Sequence, residues 1–314
     1  MRVLFAGTPE AALPSLKALL DSRHDVVAVL TRPDAPSGRR RVLQPSPVRV
    51  LAEQAGVEVL TPTSTADRGL RERMVELRVG AAPVVAYGGL IPPSLLEVPH
   101  HGWVNLHFSL LPAWRGAAPV QHTIMAGDEI AGASAFVLDE GLDTGAVLGT
   151  LTERVRHDDT SGELLTRLSY AGAELLLGSL DALESGTAHP QPQGAEGISH
   201  APKLTRDDAR IRWDRPAYAV DRQIRGCTPA PGAFTTLHGE RLNIGPVTVV
   251  TEDLDIDTPA PGQVLVRRHD VLVGSGGGVV RLGEVQPPGK KPMGAPAWAR
   301  GARLQIGDLL GIHG

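Results

Sequence analysis

Asn105, His107 and Asp143 are the residues of this chain whose types and spacing best suit chemistry. Val104-Asn105-Leu106-His107 reads as the end of a strand. Strand side chains alternate with period two, so Asn105 and His107 share a face. An Asn amide donates to a developing oxyanion and stays neutral at every working pH. An imidazole with an unperturbed pKa of ~6.5 is cationic or neutral on demand. Ser109-Leu110-Leu111-Pro112-Ala113-Trp114-Arg115-Gly116 follows, with a hydroxyl and backbone donors in a sharp bend. Asp143 sits in Gly141-Leu142-Asp143-Thr144-Gly145, where the flanking glycines allow close backbone approach to a ligand. If the fold brings Asp143 to His107, the carboxylate can orient the imidazole and accept a proton. That set suits acyl transfer from a carbonyl donor to an amine. Taken singly, each fragment is ordinary. Asn-x-His on a strand is more often structural than catalytic, Asp-Thr-Gly is a common turn, and Ser109–Pro112 also suits a plain strand exit closed by proline.

These elements occur together and in order, with Arg115-Gly116 between them and Ala117-Ala118-Pro119 following. In this the chain resembles the folate-dependent formyltransferases. The resemblance implies that the carbonyl is the formyl group of 10-formyltetrahydrofolate, used as a co-substrate. It implies that the amine is the α-amino group of methionyl initiator tRNA, formylated for translation initiation. On the same ground Asn105, His107 and Asp143 are expected to be catalytic. Asn105 and protonated His107 would stabilise the tetrahedral oxyanion. Asp143 would hold His107 and relay the proton towards the folate leaving nitrogen. No metal is needed.

The elements that must position these groups follow from the pattern of the chain. Val3–Ala6 and Asp25–Leu30 are apolar strands separated by a helix over Glu10–Leu20, interrupted early by Pro14. Ser46-Pro47 gives an N-cap and first-turn proline for a helix ending before Gly56. Val57–Leu60, Val84–Tyr87 and Ala133–Leu138 are further strands; Pro83 leaves the start of the Val84 strand unsettled. Thr160-Ser161-Gly162-Glu163 is a capping box opening a long helix to about Glu184, stopped by Gly186. This βαβ rhythm argues for an α/β unit with a parallel sheet and helices on both faces. Ligands then sit at the carboxyl ends of the strands, where the Asn105 and Asp143 segments fall. Ala6-Gly7-Thr8-Pro9-Glu10 lacks G-x-G-x-x-G, which argues against a dinucleotide. His189–Gly197 has linker composition.

After it come a helix over Tyr218–Arg225 and short β-type runs at Phe234–Leu237, Arg241–Ile244, Val247–Val250, Gln263–Val266, Val271–Val273 and Val279–Leu282. Ser275-Gly276-Gly277-Gly278 joins two strands and reads as a hairpin loop rather than a phosphate cradle. Strands at this spacing suggest a small barrel. The expected organisation is a catalytic domain over 1–189, a linker over 190–205 and a second domain over 206–314. The resemblance implies a Rossmann-like first domain and an OB-like barrel that helps hold tRNA.

Composition bounds the rest. The chain has 314 residues, 42% hydrophobic but only 4% aromatic, so its cores are built mainly from Val, Leu, Ile and Ala. A single cysteine, Cys227, excludes an internal disulfide and a cysteine-based zinc site, and is expected to be a small buried hydrophobe. No apolar run reaches membrane-spanning length and the first residues lack a signal-peptide apolar region, so a cytoplasmic protein without a membrane partner is expected; a monomer is expected as well. The net charge of −4 does not announce a nucleic-acid binder. Residues 1–205 carry 17 basic against 23 acidic side chains, and residues 206–314 carry 14 against 12. A polyanion would be met by local patches.

The resemblance also bears on binding. It implies a folate pocket lined by Tyr87, Gly88, Ser109, Leu110, Leu111 and Pro112. It implies tRNA contacts from Arg39, Arg40 and Arg41 in a Pro/Gly/Ser loop, and from Lys203, Lys290 and Lys291. On composition alone these cations are ordinary surface residues. Arg40 replaces the second glycine of the family's Gly-Arg-Gly, and Ala230 replaces the tryptophan of its Pro-Trp-Pro-Gly-Ala. Two rivals remain open. A formyltransferase acting on a small amine, such as a purine precursor or amino sugar, explains the catalytic segments but not residues 206–314. A catalytically idle RNA-binding protein on this scaffold explains those residues but not the intact Asn105, His107 and Asp143. A deformylase using water as acceptor is a further alternative.

Overall fold

The computed structural model describes residues 1–37, 42–252, 258–302, 304–305 and 307–311. They fall into two compact units: residues 1–119, 130–154 and 165–201 form the first, and 120–129, 155–164 and 202–314 the second. Arg39, Arg40 and Arg41 lie outside the described residues.

The first unit is an α/β sheet assembly. In chain order it contains β1 (Arg2–Gly7), α1 (Leu13–Leu20), β2 (Asp25–Leu30), β3 (Ala35–Ser37), β4 (Val42–Gln44), α2 (Pro47–Gln54), β5 (Val59–Leu60), α3 (Arg68–Glu76), β6 (Ala82–Val85), α4 (Pro93–Leu96) and β7 (Trp103–His107). α5 (Pro119–Ala126) follows, its residues after Pro119 in the second unit, then β8 (Ile130–Val137), β9 (Val147–Arg154) and the long α6 (Ser161–Ser185), which enters the first unit after Leu164. The main sheet runs β5-β2-β1-β6-β7-β8-β9. Its first five strands are parallel. β1 and β6 are apolar and buried along nearly their whole length, as strands covered on both faces must be.

β8 and β9 differ from the expected parallel arrangement. Both join antiparallel, with Asn105 opposite Phe136 and His107 opposite Ser134. The turn carrying Asp143 connects them directly, and a short turn can link only antiparallel neighbours. β9 alternates half-buried and exposed residues towards its end, the signature of a strand covered on one face. Pro83 lies inside β6 rather than before it. Ala82 N bonds to Gly102 O on the β7 side. The missing Pro83 N–H therefore interrupts only the ladder on the β1 side, where pairing resumes at Val84.

The helix signals act as the sequence indicates. Ser46 Oγ accepts from Arg49 N at 3.0 Å and starts α2. Thr160 N donates to Glu163 Oε2 at 2.9 Å and Glu163 N to Thr160 Oγ1 at 3.3 Å, closing the capping box of α6. Gly186, with φ +72°, follows its end. Phe5, Leu4, Leu30, Met74, Leu95 and Trp103 are fully buried, each such side chain contributing about 1.5–3 kcal/mol. The Trp103 indole N–H is satisfied by Leu95 O at 2.7 Å.

The second unit holds α7 (Ala217–Gly226), β10 (Phe234–Leu237), β11 (Glu240–Ile244), β12 (Val247–Val250), β13 (Val264–Val266), β14 (Val271–Gly274), β15 (Val279–Leu282), β16 (Glu284–Gln286), β17 (Met293–Gly294) and α8 (Ala295–Ala302). The strands form two four-stranded antiparallel sheets, β10-β11-β16-β17 and β12-β15-β14-β13. One core serves both, with Trp213, Val220, Ile224, Phe234, Val273, Val280 and Trp298. Ser275–Gly278 is the turn of the β14–β15 hairpin, closed by Ser275 N on Gly278 O at 3.0 Å.

Two segments early in the chain join this unit for physical reasons. Buried Arg225 donates from Nη1 to Asp159 O at 2.9 Å while pairing with Asp221. A Cβ on Gly226 would fall 2.4 Å from Met125 Cγ, so α5 and α7 approach too closely for any side chain there. The stretch expected as a linker is likewise ordered up to Ala201. Gln191 exchanges both backbone hydrogen bonds with Val147 at 2.8 Å, and the residues after it are tied to the first unit. Its Pro/Gln/Gly composition suits an extended strap that bonds through backbone and amides rather than through apolar contact.

Candidate active site

The carboxyl end of β7 is where the chemistry-bearing residues meet. His107 is buried, its ring edge-on to Phe136 with centroids 6.4 Å apart. Its Nε2 lies 2.9 Å from Trp114 O. A carbonyl only accepts, so Nε2 carries the proton and Nδ1 is the nitrogen left for exchange. Nδ1 faces Asp143 Oδ2 at 3.8 Å, too long for a hydrogen bond but close enough to form an ion pair once Nδ1 is protonated. Asp143 Oδ2 meanwhile accepts from Gly116 N at 2.8 Å. The structure therefore revises one expected role: Trp114 O, not Asp143, orients the imidazole. Asn105 is half-buried, and its side-chain amide makes no hydrogen bond to the described residues. It stands two residues before His107 on the same face, ready for a ligand oxygen.

The bend after β7 is held tightly. Ser109 Oγ donates to Ala113 O at 2.6 Å, and the Leu111–Pro112 peptide is cis. Ser134 Oγ of β8 donates to Ser109 O at 2.7 Å and accepts from Leu111 N at 3.1 Å. Leu110 packs over Gly132, where a Cβ would fall 2.5 Å from its Cδ2. Trp114 has φ +58° and Gly116 φ +122°. A Cβ on Gly116 would lie 2.7 Å from Ala201 O, so only glycine fits.

The Asp143 turn is fixed from within. Asp139 Oδ1 accepts from Gly141 N at 3.0 Å and from Thr144 Oγ1 at 2.6 Å. Asp143 itself has φ +53°, a left-handed conformation that costs a non-glycine residue about 1–3 kcal/mol. A Cβ on Gly145 would fall 1.7 Å from Val137 O. The third strained residue of this region is Ala86, φ +47°, just after β6.

Tyr87 and Gly88 leave the same sheet edge from β6, the parallel neighbour of β7. Their arrangement differs from a pocket lined by the tyrosine ring. Tyr87 is 3% exposed and packs in the core with Leu4, Leu30 and Trp103, and burial pushes its phenol pKa up. What the segment presents is backbone. Thr8 Oγ1, just after β1, donates to Tyr87 O at 2.8 Å, and Arg32 Nη1 to Gly88 O at 2.7 Å. The segments leaving β1, β2 and β6 are thus bonded together at this edge of the sheet.

Sequence reasoning missed the strap over 191–201. Ser199 Oγ accepts from Trp114 N at 2.9 Å, and Ser199 O accepts from Arg115 N at 2.9 Å. Ala201 N donates to Arg115 O at 2.7 Å and Ala201 O accepts from Ala118 N at 3.0 Å. Gln193 bonds to Arg115 and to the Asp143 turn. Its low-complexity surroundings hid it, and no local pattern marks a polar side chain that acts through distant partners. Lys203, Lys290 and Lys291 are all exposed on the second unit. Lys290 stands on a groove of about 510 Å³ that Arg241, Met293 and Trp298 also line. Among the described residues no helix is long and apolar enough to cross a membrane.

The arrangement suits group transfer to an amine, and the comparisons give the family. The sequence profile described as "Formyl transferase" matches residues 1–180, and "Formyl transferase, C-terminal domain" matches 203–303. The chain belongs to the formyl transferase family. It is 56% identical over 310 residues to a methionyl-tRNA formyltransferase of Salinispora arenicola, covering 99% of this chain and 100% of that one. Among solved structures it resembles the N-formyltransferase of Helicobacter canadensis in complex with folinic acid and dTDP-3-aminofucose. The TM-score is 0.68 at 17% identity, over 91% of this chain and 98% of that one. It also resembles the methionyl-tRNA formyltransferase from Clostridium thermocellum, with TM-score 0.59 and 18% identity over 81% and 95% of the two chains. At such identities the solved structures speak for the fold.

Proposed function

We propose that this protein transfers the formyl group of 10-formyltetrahydrofolate to the α-amino group of methionyl initiator tRNA. The observation that carries the chemistry is the pairing of an unbonded Asn105 amide with a His107 Nδ1 that faces the Asp143 carboxylate at 3.8 Å. Near-full-length identity to methionyl-tRNA formyltransferases supports the acceptor.

In this reading the neutral amine attacks the formyl carbon and the carbonyl oxygen becomes an oxyanion. Asn105 and the protonated Nδ1 of His107 donate to it, worth roughly 100- to 1,000-fold in rate per donor. Asp143 takes the proton released by the amine and passes it to the folate nitrogen as the carbon–nitrogen bond breaks. Its bond to Gly116 N keeps the carboxylate aimed while it takes up and passes on the proton. The folate lies along the rim formed by Gly88 and the Ser109–Pro112 bend. No metal enters the scheme. Residues 1–189 carry the chemistry, and residues 206–314 hold tRNA with Lys203, Lys290 and Lys291. Arg39, Arg40 and Arg41 contact the acceptor stem. The protein works as a cytoplasmic monomer.

The test is acceptor choice. The protein is mixed with 10-formyltetrahydrofolate and charged initiator tRNA, a nucleotide-linked amino sugar, or an amine precursor of purines. Formyl-methionyl-tRNA as the dominant product is expected. Formylation of a small amine at equal or better efficiency overturns the reading, as does release of free formate alone.

A further inference from the structure

We propose that Gln193 is a positioning residue for formyl transfer, fixing the Asp143 turn against the Arg115 loop so that Asp143 and His107 stay in register. The inference rests on the formyl-transfer reading. Gln193 belongs to the strap, touches no reacting atom, and is half-buried.

All four hydrogen-bonding positions of its amide are used. Oε1 accepts from Arg115 Nε at 3.1 Å and from Arg115 Nη2 at 2.6 Å. Nε2 donates to Asp143 O at 2.8 Å and to Gly145 O at 2.9 Å. A primary amide has two acceptor and two donor positions, so the group is saturated. Only an amide fits. The guanidinium face needs an acceptor, and the two carbonyls need two donors from the same planar group.

The four bonds close a ring through the site. From Gln193 the ring runs to Arg115, then along the chain to Gly116, whose N–H bonds Asp143 Oδ2 at 2.8 Å. Asp143 then returns through its own carbonyl to Gln193. The residue before Arg115 is Trp114, whose carbonyl holds His107 Nε2 at 2.9 Å. The two loops that set the two partners are thus clamped by one side chain. Asp143 has a left-handed backbone, which nearby contacts must over-determine if it is to persist. Gln193 grips the carbonyls on either side of Thr144, where that conformation would relax. Misplacing a catalytic group by about 1 Å costs on the order of 100-fold in rate.

The variants follow from this chemistry. Gln193→Glu keeps the shape and the Arg115 contact but sets a carboxylate oxygen against two carbonyl oxygens. Gln193→Met keeps the volume and removes all four bonds without adding charge. Both are measured beside wild type, so a folding failure of one leaves the other to decide. The expected result is a fall in kcat of about 10- to 100-fold, with KM for donor and acceptor within about twofold, because binding is left intact. In an Asp143→Asn background the same Gln193 change should lower kcat no further, since the group it positions is gone. Unchanged kcat in folded variants would overturn the proposal. So would an equal fractional loss with and without Asp143, which marks a residue that only stabilises the fold. If wild type itself makes no formylated product, the functional reading fails; if it does and the variants match it, only the positioning role fails.

Discussion

In the first unit, the polar groups near the end of β7 are tied to one another. Trp114 O holds His107, Gly116 N holds Asp143, Ser134 holds the Ser109–Pro112 bend, and the strap holds the Arg115 loop. Among the described residues, Asn105 alone of the three catalytic candidates has a side chain with no hydrogen bond. In the second unit, the cations assigned to tRNA are exposed, and the fold beneath them is held by one apolar core between two sheets. The difference matches the two tasks proposed for the two units. Transfer of a formyl group needs a few dipoles fixed to a fraction of an ångström. Attraction of a polyanion needs charge at a surface, with little demand on geometry.

The sharpest way to break this contrast is to remove proton acceptance while keeping structure. Asp143→Asn can still accept from Gly116 N, so the loop should stay in place. Turnover is expected to fall about 100- to 10,000-fold, with thermal unfolding little changed; steady-state kinetics and melting curves check both. A pair of glycine variants comes next. Gly145→Ala places a Cβ 1.7 Å from Val137 O, and Gly276→Ala in the second unit places one 2.0 Å from Asp214 O. Each should cost about 1–3 kcal/mol of stability through overpacking. Only Gly145→Ala should also lower kcat at saturating substrates, because only that turn carries a reacting group. If Gly276→Ala lowers kcat as much, the division between the units is wrong.

Much of this contrast is legible in the sequence, for identifiable reasons. Asn105 and His107 sit on a strand with period-two patterning, so their shared face is a local property. The Ser46 cap, the Thr160/Glu163 box and the Ser275–Gly278 hairpin are local too, and each forms as written. The antiparallel β8 and β9 are not legible. The turn over 138–146 sets β9 against β8, and its geometry depends on the backbone of β8, which Gly145 meets at Val137 O; the direction of β8 is set by the longer connection after β7. The tautomer of His107 depends on Trp114 O, seven residues away and in a left-handed conformation. The strap reads as linker because a Pro/Gln/Gly stretch carries no apolar periodicity, whatever its backbone bonds. Tyr87 reads as a pocket wall from resemblance, whereas its apolar ring belongs to the core.

Smaller effects sharpen the comparison. Replacing Lys203, Lys290 and Lys291 with alanine should raise KM for charged tRNA and leave kcat intact. For every phosphate no longer neutralised, the slope of log binding against log salt should shrink by about 1; a salt series of tRNA affinities measures it. Stability should respond to pH through His24 in the first unit. Burial first, then the Met1 amine, holds this imidazole below its ordinary pKa, against the opposing pull of Asp181 and Glu184. The folded state therefore binds that proton less readily than the unfolded chain. The stability from neutral His24 is full above the unfolded pKa of ~6.5 and is lost as pH falls through the lower folded value. Melting curves at descending pH should show this loss, and His24→Leu should make it shallower. The smallest effect is expected at Cys227 in the second unit, where burial pushes the thiol pKa up to about 11. Alkylating reagents at neutral pH should leave it unmodified in the folded protein; rapid labelling would show that this core opens.

The most direct measurement is the single-turnover rate of Asn105→Ala with saturating 10-formyltetrahydrofolate and charged initiator tRNA, alongside the affinity for that tRNA. Asn105 makes no described side-chain hydrogen bond in the protein, so its loss should touch only the reacting oxygen. The account predicts a rate lowered roughly 100- to 1,000-fold with unchanged tRNA affinity and unchanged melting. A rate close to that of the unaltered protein would place the oxyanion elsewhere and contradict the assignment of the site to the end of β7.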